Sequence, residues 1–284
     1  MPQVLGKPHF FFLAPALLIL AGVTLYPLFY VLWLSLHRRL IIFNISKFVG
    51  LENYGFLLRD ERFWNALYNT VYFTGASVFL ELTLGLGAAV LLNRAFKGKG
   101  IMRSIILIPW VIPTVVSARM WEWMYNPDYG ILNYLFEANI NWLGSPFWAL
   151  NAAVFMDVWK TTPFVALLLM AGLQTIPVDL YQAARVDGAS NWYIFKRITL
   201  PLLKPMILIV LIFRTLDAFR VFDAIYVLTG GGPANTTETL SIYAYKTLFQ
   251  TLQFGYGSAI AVTVFFSVAI ITIFYVKLLR RERE

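Results

Sequence analysis

Apolar residues in this chain come in long blocks separated by short polar stretches, and strand-like alternation is rare. Six blocks reach the length of about 20 mostly apolar residues that a helix needs to cross a bilayer. They lie at roughly 10–36, 67–92, 105–125, 147–173, 205–228 and 257–279. The first is longer than the 7–15-residue core of a secretory signal and has no small-residue cleavage site, which predicts a retained span. The expected fold class is an all-α integral membrane protein with six transmembrane helices, forming a single transmembrane domain over 1–284.

Composition agrees with the pattern. Of 284 residues, 59% are hydrophobic and only 13% charged, where a soluble domain carries about a quarter charged. Disorder, collagen and coiled coil are excluded. There is no cysteine, so a disulfide framework, an iron–sulfur cluster and a Cys-based zinc site are excluded too. His9 and His37, outside the dense apolar runs, are the only histidines, and no metal site or His-based triad is expected.

The net charge of +8 would suggest nucleic acid in a soluble protein, but here its placement explains it. With the N-terminus cytoplasmic, thirteen Lys and Arg fall on inner segments, Lys7 and Arg283 among them. Six fall on outer ones and four (Arg119, Lys160, Arg214 and Arg220) within spans. The excess of base on one side predicts both termini in the cytoplasm, although Arg38-Arg39 just outside the first span opposes it mildly. Nucleic acid is not an expected partner.

No GxxxxGK[ST] phosphate cradle is present; Gly98-Lys99-Gly100 lacks the hydroxyl residue, and Gly85 and Gly87 lie inside a span, where small residues permit close helix packing. The chain is therefore not expected to be an ATPase or to hold a cofactor or metal. Any nucleotide-driven work must be done by another subunit.

The inner loop 174–204 carries the densest signal. Pro177 ends the preceding helix, Asp179 with Gln182 reads as a capping box, Gly188 suits a left-handed helix end, and Ser190 suits the next N-cap. Trp192, Phe195 and Ile198 recur every third residue, and Pro201 and Pro205 mark entry to the fifth span. Two short helices joined at a glycine fit either a docking element for another protein or an interfacial hairpin.

The run Gln182-Ala183-Ala184-x-x-Asp187-Gly188-Ala189, followed by Phe195, Ile198, Leu200 and Pro201, resembles the EAA motif of permease subunits in binding-protein-dependent carbohydrate ABC importers of the maltose, trehalose and glycerol-3-phosphate group. Pro109-Trp110-Val111-Ile112-Pro113 with Trp121, and Leu228-Thr229-Gly230-Gly231-Gly232-Pro233 continuing to Leu240, extend the likeness. It implies a type I importer permease fold in a bacterial or archaeal cytoplasmic membrane. It also implies a second homologous permease, two cytoplasmic ATPase subunits that hold Mg-ATP, an extracytoplasmic solute-binding protein, and a sugar substrate. The ATPase would grip the loop through Gln182, Ala183, Ala184, Asp187, Gly188, Ala189, Leu200 and Pro201. The family's leading Glu is Gln182 here, which preserves the capping pattern but not a salt bridge.

Ionisable groups inside spans are the remaining candidates. Asp157 and Lys160 lie in the fourth, and Arg214, Asp217, Arg220 and Asp223 recur every third residue along the fifth. Such spacing fits either mutual neutralisation or a polar lining for a hydroxyl-rich solute. Trp121 and Trp159 are the aromatic candidates for that lining, with Phe219 and Phe222 close by in sequence. The competing function from the residues alone is a stand-alone secondary transporter or channel using Asp157, Asp217 or Asp223 as an ion or proton site.

Overall fold

The computed structural model describes residues 8–94 and 96–281; Lys7 and Arg283, counted above with the inner cations, lie outside them. The elements in order are α1 (Pro8–Ser35), β1 (His37–Leu40), β2 (Ile45–Phe48), α2 (Glu52–Leu57), α3 (Glu61–Asn93), α4 (Lys99–Val111), α5 (Thr114–Met124), α6 (Ile131–Leu135), α7 (Pro146–Gln174), α8 (Val178–Val186), α9 (Asn191–Ile194), α10 (Leu200–Phe219), α11 (Asp223–Leu228), α12 (Leu240–Tyr245) and α13 (Phe254–Arg281). A π-helical turn, Phe195–Thr199, joins α9 to α10, and another, Lys246–Gln250, follows α12.

Among the described residues, five helices are long and apolar enough to cross a membrane, or six where the bent pair α4–α5 counts as one span. Two expected spans differ in form. The third breaks by 91° between Val111 and Thr114. Pro113 has no N–H to donate and pushes the preceding residue out of the helical region; Ile112 is extended, with ψ 130°. The fifth starts earlier and ends earlier than 205–228: helix runs without interruption over Asn191–Phe219, Pro205 lies inside it, and α11 is a separate helix. Arg220 and Asp223 therefore do not continue the turn-by-turn series begun by Arg214 and Asp217.

The chain divides into two compact units. The first comprises residues 1–63 and 243–265. Within the helical fold expected from the sequence it adds a short antiparallel hairpin, in which His37 faces Phe48 and Leu40 faces Ile45. Asn53 Nδ2 donates to the carbonyls of Ser35 and His37 at 2.7 and 3.0 Å, holding α2 to the end of α1. Asp60 ties the unit together. Its Oδ1 accepts the Arg62 N–H at 3.0 Å at the start of α3, and its Oδ2 accepts the hydroxyls of Tyr243 and Tyr256. Burial, helped by the Asp60 carboxylate, raises the Tyr243 hydroxyl above the ordinary phenol range and keeps it a donor.

The second unit, residues 64–242 and 266–284, is built around α7. Its Ala149, Ala152, Ala153, Met156 and Val165 are fully buried, α10 and α4 pack along it, and α5 packs on both α7 and α11. Gly85 of α3 is a contact point: a Cβ there would meet Val165 Cγ1 at 2.5 Å. At Gly87 a Cβ would meet nothing within 4 Å, so the packing role expected of this glycine pair belongs to Gly85 alone. The stretch after α11 contains α12, and its start is pinned to α3. Asn69 Nδ2 donates to the Glu238 carbonyl at 3.0 Å, and the Leu240 N–H donates to Thr70 Oγ1 at 2.9 Å.

The two glycines predict opposite outcomes. Gly85→Leu overpacks the α3–α7 contact and costs about 1–3 kcal/mol, lowering the melting temperature in detergent, whereas Gly87→Ala leaves it unchanged or raises it, because alanine is favoured over glycine in a helix by about 1 kcal/mol.

Candidate functional site

The charged residues of α7 and α10 meet around one guanidinium. Arg214, with a side chain 4% exposed, donates through Nε and Nη2 to both carboxylate oxygens of Glu81 on α3, at 2.5 and 2.8 Å. Nη2 also reaches Asp157 Oδ2 on α7 at 3.1 Å, and Nη1 reaches Asp217 Oδ2, one turn along α10, at 2.6 Å. Thr161 adds a bond to Glu81 Oε1 at 2.6 Å. One arginine thus joins three helices. The planar fork of arginine is what allows a two-point grip on Glu81 while two further N–H directions remain for the aspartates.

Glu81 is absent from the candidates read off the sequence. Its signal was nevertheless there: it is the sole Asp, Glu, Lys, Arg or His in the block 67–92, and a charge inside a span is a functional candidate by default. It is fully buried, so it supports Arg214 and has no face to offer a solute.

Asp217 is the opposite case, with 62% of its side chain exposed. It borders a cavity of about 200 Å³ lined also by Thr114, Asp157, Arg214, Arg220, Phe222 and Asp223. The cavity lies where two helix interruptions converge. Thr114 is the first residue after the Pro113 break, and Arg220 to Phe222 form the non-helical link between α10 and α11. Non-helical backbone within a membrane protein is tolerated where protein buries it or where it lines a cavity. Phe222 brings an aromatic ring, stacked on Tyr226 with centroids 5.2 Å apart. Of the expected path residues, Asp157, Arg214, Asp217 and Arg220 therefore share one cavity.

Lys160, Trp121 and Trp159 do not line it. Lys160 is buried and its Nζ donates to the Trp110 carbonyl at 3.4 Å. That carbonyl sits at the end of α4, where a continuous helix would have supplied the Thr114 N–H, so Lys160 serves the break. Trp121 and Trp159 pack edge to face, centroids 5.7 Å apart, and Trp121 also contacts Tyr125. The Arg119–Glu122 pair on α5 closes at 2.6 Å on an exposed surface.

The loop between α7 and α10 forms the expected helix pair. α8 ends in a Schellman turn: Gly188 has φ +76°, its N–H bonds the Arg185 carbonyl at 3.1 Å, and the Ala189 N–H bonds the Ala184 carbonyl at 2.9 Å. Ser190 Oγ accepts the Tyr193 N–H at 3.2 Å and caps α9. Asp179 differs from expectation: the N-cap is Pro177, and Asp179 lies in the first turn without a side-chain cap bond. Its charge there still complements the helix dipole. Gln182, Ala183, Asp187 and Gly188 are exposed while Ala184 is buried, so α8 leaves one face free. Leu200 and Pro201 open α10, beyond the π turn.

Removing the central cation tests the cluster. Arg214→Met leaves Glu81 and Asp157 buried without a counter-charge and costs about 3–5 kcal/mol. The double variant Glu81→Gln with Arg214→Met recovers a large part of the loss, read as a double-mutant cycle of unfolding in detergent.

Comparison with known proteins places this geometry. The trehalose/maltose transport system permease protein MalF of Thermococcus litoralis is 47% identical over 283 residues, covering 98% of this chain and 96% of the relative. The trehalose transport system permease protein SugA of Mycobacterium tuberculosis is 45% identical over 270 residues, 95% of this chain and 87% of the relative. The sulfoquinovosyl glycerol transport system permease protein SmoG of Agrobacterium fabrum is 40% identical over 275 residues, 95% and 89% of the two chains. A chain from the solved structure of a bacterial ABC transporter involved in the import of the acidic polysaccharide alginate has the same fold, with TM-score 0.83, 96% of both chains covered and 24% identity. Residues 81–284 match the family described as binding-protein-dependent transport system inner membrane component. With its bent and straight spans and its exposed inter-helix loop, the chain is a multi-pass membrane protein that belongs to this permease family.

Proposed function

We propose that the chain is one of two permease halves of an ATP-driven importer and that its solute is a disaccharide of the trehalose or maltose type. The observation that carries the reading is the cavity at the two helix breaks, where polar side chains and one aromatic ring converge. Asp217, Arg220 and Asp223 can exchange hydrogen bonds with sugar hydroxyls, and the Phe222 ring can cover a C–H face. Three aspartates against two arginines line it. A phosphate ester would meet more carboxylates than cations there, which favours a neutral sugar. The names of the relatives, two of them trehalose systems, point the same way.

In this reading an external binding protein delivers the sugar, a second homologous permease completes the path, and two cytoplasmic subunits hydrolyse Mg-ATP. Their closure is transmitted through the α8–α9 loop. Ala183 permits close approach, Asp187 and Gly188 form the turn that seats in the ATPase, and Gln182 makes neutral hydrogen bonds where the family's glutamate makes a charged one. Family membership disfavours the stand-alone carrier driven by an ion gradient.

Two variants separate path from coupling. Asp217→Asn and Phe222→Ala, assayed for trehalose and maltose uptake in proteoliposomes, lower uptake about tenfold, the equivalent of about 1.4 kcal/mol per lost contact, while stimulation of ATPase by the loaded binding protein persists. Unchanged uptake in both would remove the cavity from the path. Gly188→Asp acts differently: a non-glycine residue in the left-handed region costs about 1–2 kcal/mol and distorts the docking turn. Expected is ATP hydrolysis no longer linked to uptake at normal expression; normal uptake would count against docking through this turn.

A further inference from the structure

Two cavities adjoin along α3 on the side that carries the α8–α9 loop. One, of about 420 Å³, is polar and aromatic and is lined by Asn93, Arg94, Tyr181, Arg185 and Trp192. The other, of about 500 Å³, is almost wholly apolar, with Leu82, Leu86, Gly87 and Leu91 as its wall. Val90 and Phe195 line both, so the two cavities meet side by side as a trough with a basic mouth and an apolar body, with these two side chains where they meet. No acidic residue lines either part. Arg94 and Arg185 have no ion pair among the described residues.

The dimensions match half a bilayer. Leu82 to Asn93, next to Arg94, is twelve residues of helix, or about 18 Å, and one leaflet of a hydrocarbon core of about 30 Å is about 15 Å deep. The link that starts at Arg94 carries charge of one sign: Arg94, Lys97, Lys99 and Arg103 occur within ten residues without an acid. Lys99 and Arg103 are fixed there, donating to the carbonyls of Asn93 at 3.2 Å and Leu92 at 3.4 Å.

We propose that this trough is a binding site for one anionic phospholipid, its phosphate between Arg94 and Arg185 and an acyl chain along Leu82, Leu86 and Val90. A free anion has no use for the apolar body, and a zwitterionic lipid brings a headgroup cation of its own to a mouth that already holds two arginines. Phe195 and Trp192, whose rings stack 5.8 Å apart, belong to the segment that joins the α8–α9 loop to α10. The lipid therefore touches the coupling loop from its membrane side, leaving the exposed face of α8 free.

The test uses the full-length chain purified with the subunits that accompany it, and native mass spectrometry with phosphatidylglycerol, phosphatidylcholine or sodium phosphate as probe. Expected is one retained phosphatidylglycerol per chain, no comparable retention of phosphatidylcholine, and no displacement by millimolar phosphate. Arg94→Gln with Arg185→Gln weakens retention about 25-fold, since each cation near a lipid surface contributes about a factor of five. Gly87→Trp fills the apolar body from a position where a side chain meets open space and abolishes retention without lowering the melting temperature. Equal retention in wild type and both variants overturns the proposal. Displacement by phosphate alone reduces the site to an anion site and overturns the lipid. The chain has no cysteine, so Thr83→Cys gives one thiol on the trough wall; its cross-linking to a second permease with phosphatidylglycerol excluded assigns the trough to a protein interface and equally ends the lipid reading.

Discussion

A guanidinium buried among three carboxylates is the constraint on which the second unit of this permease depends. Taking Arg214 and Glu81 out of water carries a desolvation penalty of several kcal/mol per ion, offset only by the short, two-point geometry and the added bonds from Asp157, Asp217 and Thr161. An interaction of this kind adds little to stability compared with a well-packed apolar alternative, but it tolerates few arrangements of α3, α7 and α10. It therefore sets which faces of those helices meet. The exposed aspartate of the cluster, Asp217, is in turn held at the edge of the polar cavity by the same arginine.

The cavity exists because two spans fail to remain helical at the same place. The first failure has a local cause in Pro113, and Lys160 supplies a donor to a carbonyl that the break leaves open. The second, after Phe219, has no proline or glycine to mark it. It is paid back through packing, since Ala224, Ile225 and Leu228 of α11 are buried and α11 lies against α5 and α7. A straight fifth helix would have carried those apolar residues away from that contact and closed the space beside Arg220 and Phe222.

Much of this was legible from the residues in order. Each apolar block overlaps a long apolar helix or the bent α4–α5 pair, because burial in lipid demands a long apolar run that few soluble folds contain. The α8–α9 pair was readable down to its Gly188 turn and Ser190 cap, because caps and left-handed turns depend on residues within a few positions of each other. What could not be read was everything set by partners far along the chain. Glu81 finds Arg214 across 133 positions, the hairpin at 37–48 is decided by short strands too brief to show a period, and Asp60 gains Tyr243 and Tyr256 from the other end of the first unit. The series Arg214, Asp217, Arg220, Asp223 looked like one helix face and is not.

By itself, the sequence determined that this protein lives in a bilayer, where its long apolar helices fall, which loop carries a helix pair with a left-handed turn, and which charges needed an explanation. These follow from composition and local spacing, which act over a turn or two of helix. The tertiary structure alone decided which charges share a cavity, which ones serve only to hold a helix end, and which glycine is a contact. Those outcomes depend on the relative placement of helices, and that placement is set by long-range pairing and packing that no local pattern encodes.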